Sequence, residues 1–216
     1  MMTLLLAFAL QDAPYRAQMT IERFVKREDG VTVQTGTMSV RPGLALAYES
    51  RALRIWIRDG KAVERRSGEK VARRWDLAKP ANFQPLDLWR MDEAGVRALF
   101  RVITDRPAET LPAAVVRSDG TAIPPVKAGA GVVVVDGVDL AEGCARVILI
   151  PRDGALRERI SSIRLSVDRA TGLILRAVVD SPAQVVTLTL SERREVASLD
   201  DAVFEPDLDR LNVEEK

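Results

Sequence analysis

Residues 163–190 read IRLSVDRATGLILRAVVDSPAQVVTLTL, and apolar residues alternate with polar ones in three short runs along this stretch. An alternation with a period of two is typical of a β-strand that buries one face. The runs are separated by residues 168–172 and 180–182, which contain the Asp, Gly and Pro residues of tight turns. The stretch therefore predicts an antiparallel meander with one apolar face. That face must be buried against a helix, another sheet or a ligand.

The first eighty residues repeat this pattern. Apolar residues alternate from Tyr15 onward, with a break of phase at Phe24 and Val25 that a β-bulge would explain. Turn residues recur about every ten positions, among them Asp59 and Gly60. These features predict an up-and-down antiparallel sheet, so the fold class is mainly β with few helices.

Beyond Pro80 the pattern changes. Residues 88–103 have apolar side chains at helical spacing, with Asp92 and Glu93 where acids suit a helix start, and they predict one amphipathic helix. Residues 104–143 are rich in Pro and Gly and predict loops with one or two strands.

Composition limits the classes of partner. A chain of 216 residues, 47% hydrophobic, can form one domain with a substantial core. Lys and Arg total 32 and Asp and Glu total 31, so the net charge gives no reason to expect nucleic acid as a partner. We expect a monomer.

The residue types argue against an enzyme. The chain has no histidine, which excludes Ser-His-Asp and Cys-His catalysis and the common His-containing zinc sites. Ser67 and Lys70 match the S-x-x-K pattern, but they fall in a predicted turn and have no partner motif. The single cysteine, Cys144, cannot form an intramolecular disulfide and is expected to pack in the core. No catalytic residue, metal ligand or cofactor is predicted.

The N-terminus has an apolar run. Residues 1–11 resemble the hydrophobic region of a secretory signal, with Ala7-Phe8-Ala9 as a small-x-small cleavage site, although no Lys or Arg precedes the run. The segment predicts export to the periplasm or beyond. A misassigned start and a buried first strand are the alternatives.

Five segments in order resemble the LolA-type bacterial lipoprotein carriers. They are GTMSVRPG at 36–43, IWIRDGK at 55–61, VILIP at 147–151, the meander at 163–190 and LDDAVF at 199–204. The resemblance implies an unclosed half-barrel, a strongly curved antiparallel sheet with one or more helices over its concave face. It would be one domain at 12–216 with a Pro- and Gly-rich insertion near 104–143.

The resemblance implies a periplasmic carrier or binder of lipid or lipidated protein, for which a membrane-bound delivery or acceptor protein would be a further partner. A second argument supports a ligand, because the sheet offers more apolar area than the single predicted helix can bury. The resemblance places Arg41 at the mouth of the cavity, where it would tie the sheet to the lid; the alternative is a surface arginine before a turn. The candidate lipid-binding residues are Met19, Ile21, Met38, Val40, Arg41, Leu44, Leu46, Ile55, Ile57, Leu165, Val167, Leu175, Val186 and Leu188.

The alternative is a non-enzymatic structural or regulatory interaction module on the same scaffold, in which the apolar face is simply a packed core. Only the volume of a cavity separates the two hypotheses.

Two further groups of residues have expected roles. Trp56 and Trp75 are predicted to stabilise the fold, with Trp56 on the outer face or packed under the helix. The basic residues of the hairpins are predicted to be solvated or, as the second choice, to bind an anionic headgroup or acidic partner. They are Arg65, Arg66, Lys70, Arg73 and Arg74.

Overall fold

A computed structural model describes residues 13–27, 30–104, 144–169, 171–206, 208 and 211–216. The predictions for residues 1–11 and for the insertion at 104–143 fall almost entirely outside these residues. Among the described residues no helix is both long enough and apolar enough to cross a membrane.

The sheet contains twelve strands in the order β12-β6-β5-β4-β3-β2-β1-β11-β10-β9-β8-β7. Neighbouring strands are antiparallel except β12, which runs parallel to β6. The sheet is strongly curved and is not closed, so the predicted unclosed half-barrel is confirmed. The strands are β1 (Tyr15–Val25), β2 (Val31–Arg41), β3 (Ala45–Ser50), β4 (Leu53–Arg58), β5 (Lys61–Arg66), β6 (Val71–Asp76), β7 (Phe100–Thr104), β8 (Cys144–Pro151), β9 (Ser162–Asp168), β10 (Ile174–Asp180), β11 (Gln184–Glu195) and β12 (Asn212–Glu215).

Local sequence explains the hairpins. Asp59 and Gly60 both have positive φ angles, 50° and 71°, as a tight turn between β4 and β5 requires.

The predicted bulge at Phe24 and Val25 is wrong, because both residues pair in register with β2 or β11. The irregularity in β1 lies instead between Arg16 and Gln18.

The predicted helix at 88–103 is also wrong in its bounds. The chain forms 3-10 turns at Pro80–Asn82 and Pro85–Trp89, and the helix α1 covers only Glu93–Leu99. It starts late because the Asp92 side chain accepts a hydrogen bond from the Gly95 amide at 2.7 Å and caps the helix there. It ends at Leu99 because the next residues, rich in β-branched side chains, pair with β8 as strand β7. A second helix, α2 (Gly154–Arg159), was not predicted; Asp153 caps it in the same way.

The main core lies between the inner, concave face of the sheet and these helical segments. It includes Met19, Leu46, Ile57, Phe100, Leu165 and Leu188 from the sheet, with Leu88, Trp89, Val96 and Leu156 from the segments that cover it. Trp75 packs against this core. A smaller cluster on the outer face contains Ala45, Ala47, Leu199 and Phe204, with Trp56 packed against it. Trp56 therefore lies on the outer face, the first of its two predicted positions.

Candidate functional site

One end of the inner face is fully packed. There the sheet meets Leu88 and Trp89, which are 1% and 6% exposed. The Trp89 indole donates a hydrogen bond to the Ile174 carbonyl at 2.8 Å and so fixes the 3-10 turn to β10. The Gly43 amide donates to the Arg90 carbonyl at 2.9 Å, which fixes the same segment to the β2–β3 turn. This packed end is closed by side chains and by hydrogen bonds.

The opposite end of the inner face contains a hollow of about 440 Å³. It lies where β1, β5 and β10 end and where β2, β4 and β11 begin. Two covering segments, Phe83–Leu86 and Glu158–Ile160, line the hollow together with these strand ends. A volume of a few hundred Å³ is the usual size of a small-molecule site. We call this region the open end.

The wall of the hollow is apolar, mainly aliphatic, and its rim is polar. The wall is formed by Ile21, Leu53, Ile55, Phe83, Pro85, Leu86, Ile160, Val179, Pro182, Ala183, Val186 and Leu188, and the rim by Arg23, Gln34, Glu64, Gln84, Glu158, Arg159, Ser181 and Gln184. The rim has as many arginines as carboxylates, so it does not favour a ligand of either charge. Such a lining can surround a hydrocarbon chain and solvate a polar group at its end.

Several rim side chains are held in place. The Gln34 amide donates to the Ser50 hydroxyl. The Ser181 hydroxyl donates to the main-chain carbonyl of Gln184 at 2.8 Å and accepts from the main-chain N–H of Gln184 at 3.1 Å. Glu64 pairs with Arg66 at 3.0 Å and lies 3.8 Å from Arg73. In the described part of the chain, no group of His, Cys, Asp and Glu residues could hold a metal ion.

The structure divides the candidate residues into sets. Ile21, Ile55, Val186 and Leu188 line the hollow. The rest of the inner-face candidates are buried in the packed core. These are Met19, Met38, Val40, Leu46, Ile57, Leu165 and Val167. Leu175 lies at an irregularity in the β9–β10 pairing and packs against the same core.

Two candidates are not on the inner face, and their predicted positions are wrong. Leu44 belongs to the β2–β3 turn and is 67% exposed, because β3 begins only at Ala45. Arg41 lies on the outer face, where its guanidinium donates to the Leu199 carbonyl and pairs with Asp201. The guanidinium also stands 5.0 Å from the centre of the Phe204 ring. Arg41 therefore fixes the C-terminal segment to the back of the sheet and is not at the mouth of the hollow.

Sequence reasoning missed the residues that cover the hollow. Phe83 and Leu86 come from 3-10 turns that begin with Pro80 and Pro85, and a proline at the start of a helical turn was the available signal. Ile160 follows α2, whose signal was the capping residue Asp153.

No family model and no curated protein matches this sequence. Solved structures do resemble the fold. The chain is similar in fold to a DUF1329 family protein from Desulfovibrio piger. The two share 12% identity over 93% of this chain and 92% of that one, with a TM-score of 0.50. A LolA superfamily protein, NE2245 from Nitrosomonas europaea, aligns over 94% of this chain and 95% of its own at 9% identity and a TM-score of 0.46. Lipoprotein LppX from Mycobacterium tuberculosis aligns over 86% and 89% at 11% identity and a TM-score of 0.41.

At these identities the likeness is one of fold alone. It extends no further than the fold class, and it assigns no family, cargo, partner or activity to this chain.

Proposed function

We propose that this protein is a carrier or binder of lipid or lipidated protein, and that it holds an acyl chain in the hollow at the open end of its sheet. The observation that carries the proposal is the hollow itself, about 440 Å³ with an aliphatic wall, in a sheet whose other end is packed. A sheet that served only as a scaffold would gain stability by filling this space.

The chemistry of the lining suits this ligand. An acyl chain gains about 0.8 kcal/mol for each methylene group it buries, so the aliphatic wall provides affinity without any polar contact. Gln34, Gln184 and the charged rim residues would then contact the polar end of the ligand. The proposed role is binding and not catalysis, since the Ser181 hydroxyl of the rim donates to the Gln184 main-chain carbonyl and the chain has no histidine that could activate it.

The proposal includes export to the periplasm and a membrane-bound partner that delivers or accepts the cargo. Export is supported by the apolar run in residues 1–11. N-terminal sequencing of the mature protein should find cleavage near Ala9, and a mature chain that begins at Met1 would count against export.

Native mass spectrometry of protein purified without detergent tests the binding role. We expect the wild type to retain lipid at about one molecule per chain. Val186→Trp should lose it, because the indole would occupy the hollow that Val186 lines.

Val33→Trp is the matched control, since Val33 is 62% exposed on the same sheet and lies outside the hollow. This variant should retain lipid like the wild type. A wild-type protein that carries no lipid, and that takes none up from vesicles, would contradict the proposal and favour the interaction module.

A further inference from the structure

A second cavity, of about 620 Å³, lies on the outer face and rim of the sheet, beside the β3–β4 and β5–β6 turns. We call it the arginine cleft. Its lining includes four arginines and a single carboxylate, Glu49. The full lining is Gln18, Thr35, Gly36, Thr37, Glu49, Ser50, Arg51, Leu53, Arg54, Arg65, Arg66, Ser67 and Gly68.

Strand register places two of these arginines against each other. Arg54 of β4 and Arg65 of β5 are direct cross-strand partners, and their side chains project from the same, outer face. Like charges directly opposite each other on one face of a sheet are destabilising. The fold therefore maintains a concentration of positive charge at a cost in stability.

The neighbouring acids neutralise this charge only in part. Glu49 pairs with Arg54, and Glu64 pairs with Arg66. In the described part of the chain, neither Arg51 nor Arg65 has an ion pair. Other arginines of these hairpins differ, since Arg73 pairs with Glu69 at 3.0 Å and Arg74 with Glu215 at 3.1 Å. Among the described arginines of these hairpins, the two without an ion pair therefore both line the cleft.

The remaining lining supplies neutral hydrogen-bond donors. Thr35, Thr37 and Ser67 add hydroxyl groups to the guanidinium groups. Guanidinium groups bind oxyanions through paired, charge-assisted hydrogen bonds, and several of them around one cavity suit a tetrahedral anion with more than one charge.

From this arrangement we infer that the arginine cleft is a binding site for a phosphate-type oxyanion, either the phosphate of a lipid headgroup or a soluble phosphate compound. This site is distinct from the acyl-chain hollow and does not depend on it. The two cavities have only Leu53 in common, and the Gln34–Ser50 hydrogen bond joins a residue of the hollow to one of the cleft.

Two probes distinguish the sources of the phosphate. Inorganic pyrophosphate, titrated by calorimetry, represents a soluble ligand. Vesicles of phosphatidylglycerol, compared with vesicles of phosphatidylcholine in co-sedimentation, represent a lipid headgroup. We expect at least one probe to bind, and binding should weaken as salt is raised because the attraction is electrostatic.

The decisive variant is Arg54→Gln with Arg65→Gln. It should weaken binding of the active probe at least tenfold, while its stability stays close to that of the wild type because relief of the Arg54–Arg65 repulsion offsets loss of the Arg54–Glu49 ion pair. The matched control is Arg16→Gln with Arg194→Gln, which removes the same charge from another opposed arginine pair of the sheet, outside the cleft. This control should bind like the wild type.

Binding of pyrophosphate would identify a soluble phosphate ligand, and binding to anionic vesicles alone would identify a headgroup. If neither probe binds, or if the control pair weakens binding as much as the cleft pair does, the cleft is not a specific anion site. Lipid retention by Val186→Trp and Val33→Trp is measured independently, so failure of one proposal leaves the other to be judged on its own result.

Discussion

The two ends of the inner face have the same sequence pattern but different structures. At the packed end, Val40 and Ile57 are fully buried in the same core as Leu88 and Trp89. At the open end, Ile55 and Val186 alternate in the same way but border a hollow. The difference lies in the covering segments and not in the strands. Alternation thus specifies which face is apolar, whereas the segments that cover it decide whether that face becomes core or cavity.

The largest effect should come from the packed end. Trp89→Ala removes a buried indole and the hydrogen bond that fixes the 3-10 turn to Ile174. We expect a loss of about 3–5 kcal/mol in the free energy of unfolding, measured by urea denaturation. Trp75→Ala, a half-buried tryptophan packed against the same core, should cost less. Equal losses in the two variants would show that Trp89 does not close this end.

Gly36 lies on the inner face between the two ends. A β-carbon there would overlap the main-chain carbonyl oxygen of Glu49 on the neighbouring strand β3. Gly36→Ala should therefore cost about 1–3 kcal/mol of stability. Gly30→Ala is the control, since a β-carbon at that position meets no atom within 4 Å. If the two variants had equal stability, β2 could move away from β3 to accommodate the added β-carbon without loss of stability.

Val40 and Val186 allow the same substitution to be made at both ends. Val40→Ala should cost about 2 kcal/mol, because it opens a void in a packed core. Val186→Ala should cost less than about 1 kcal/mol, because its side chain already borders empty space. Urea denaturation of lipid-free protein measures both. Equal costs would mean that the open end is packed in solution.

The smallest effect concerns the outer face. The hydrogen bond and charge of Arg41 hold the pKa of the Asp201 carboxyl below its usual value. A carboxyl with a lowered pKa in the folded state stabilises the fold above its unfolded pKa, and this contribution is lost as the pH falls through the folded value.

Acidification from pH 5 to pH 3 should therefore destabilise the wild type slightly more than Asp201→Asn. Urea denaturation at the two pH values measures the difference. Identical losses would show that the contact with Arg41 is not maintained in solution. Lipid binding at the open end should be the same in both proteins.

The sequence predicted the strands well because their signals are local. Alternation along Ile163, Leu165 and Val167 directly indicates which face is buried. Asp59-Gly60 indicates the turn, because these two residue types adopt the positive φ angles that the turn requires. The ends of the helix were harder to predict from the sequence. Val102 and Ile103 fit helical spacing equally well, and only the partner strand β8 makes them a strand.

The candidate site could be predicted only in part. Ile21, Ile55, Val186 and Leu188 were found from their phase in the strands. The same argument could not separate them from Met38 or Val40, because the separation depends on Phe83, Leu86 and Trp89, which lie far away in sequence. The position of Arg41 depends on a contact with Asp201 across 160 residues that no local pattern reports.

The central claim is that the hollow holds an acyl chain. The most direct measurement is the affinity of single-chain fatty acids of increasing length, titrated below their critical micelle concentrations. Each added methylene should tighten binding about fourfold, as expected for about 0.8 kcal/mol per group, until the hollow is filled and the affinity stops rising. Affinity that does not depend on chain length, or that rises without limit as in adsorption to a surface, would contradict the claim.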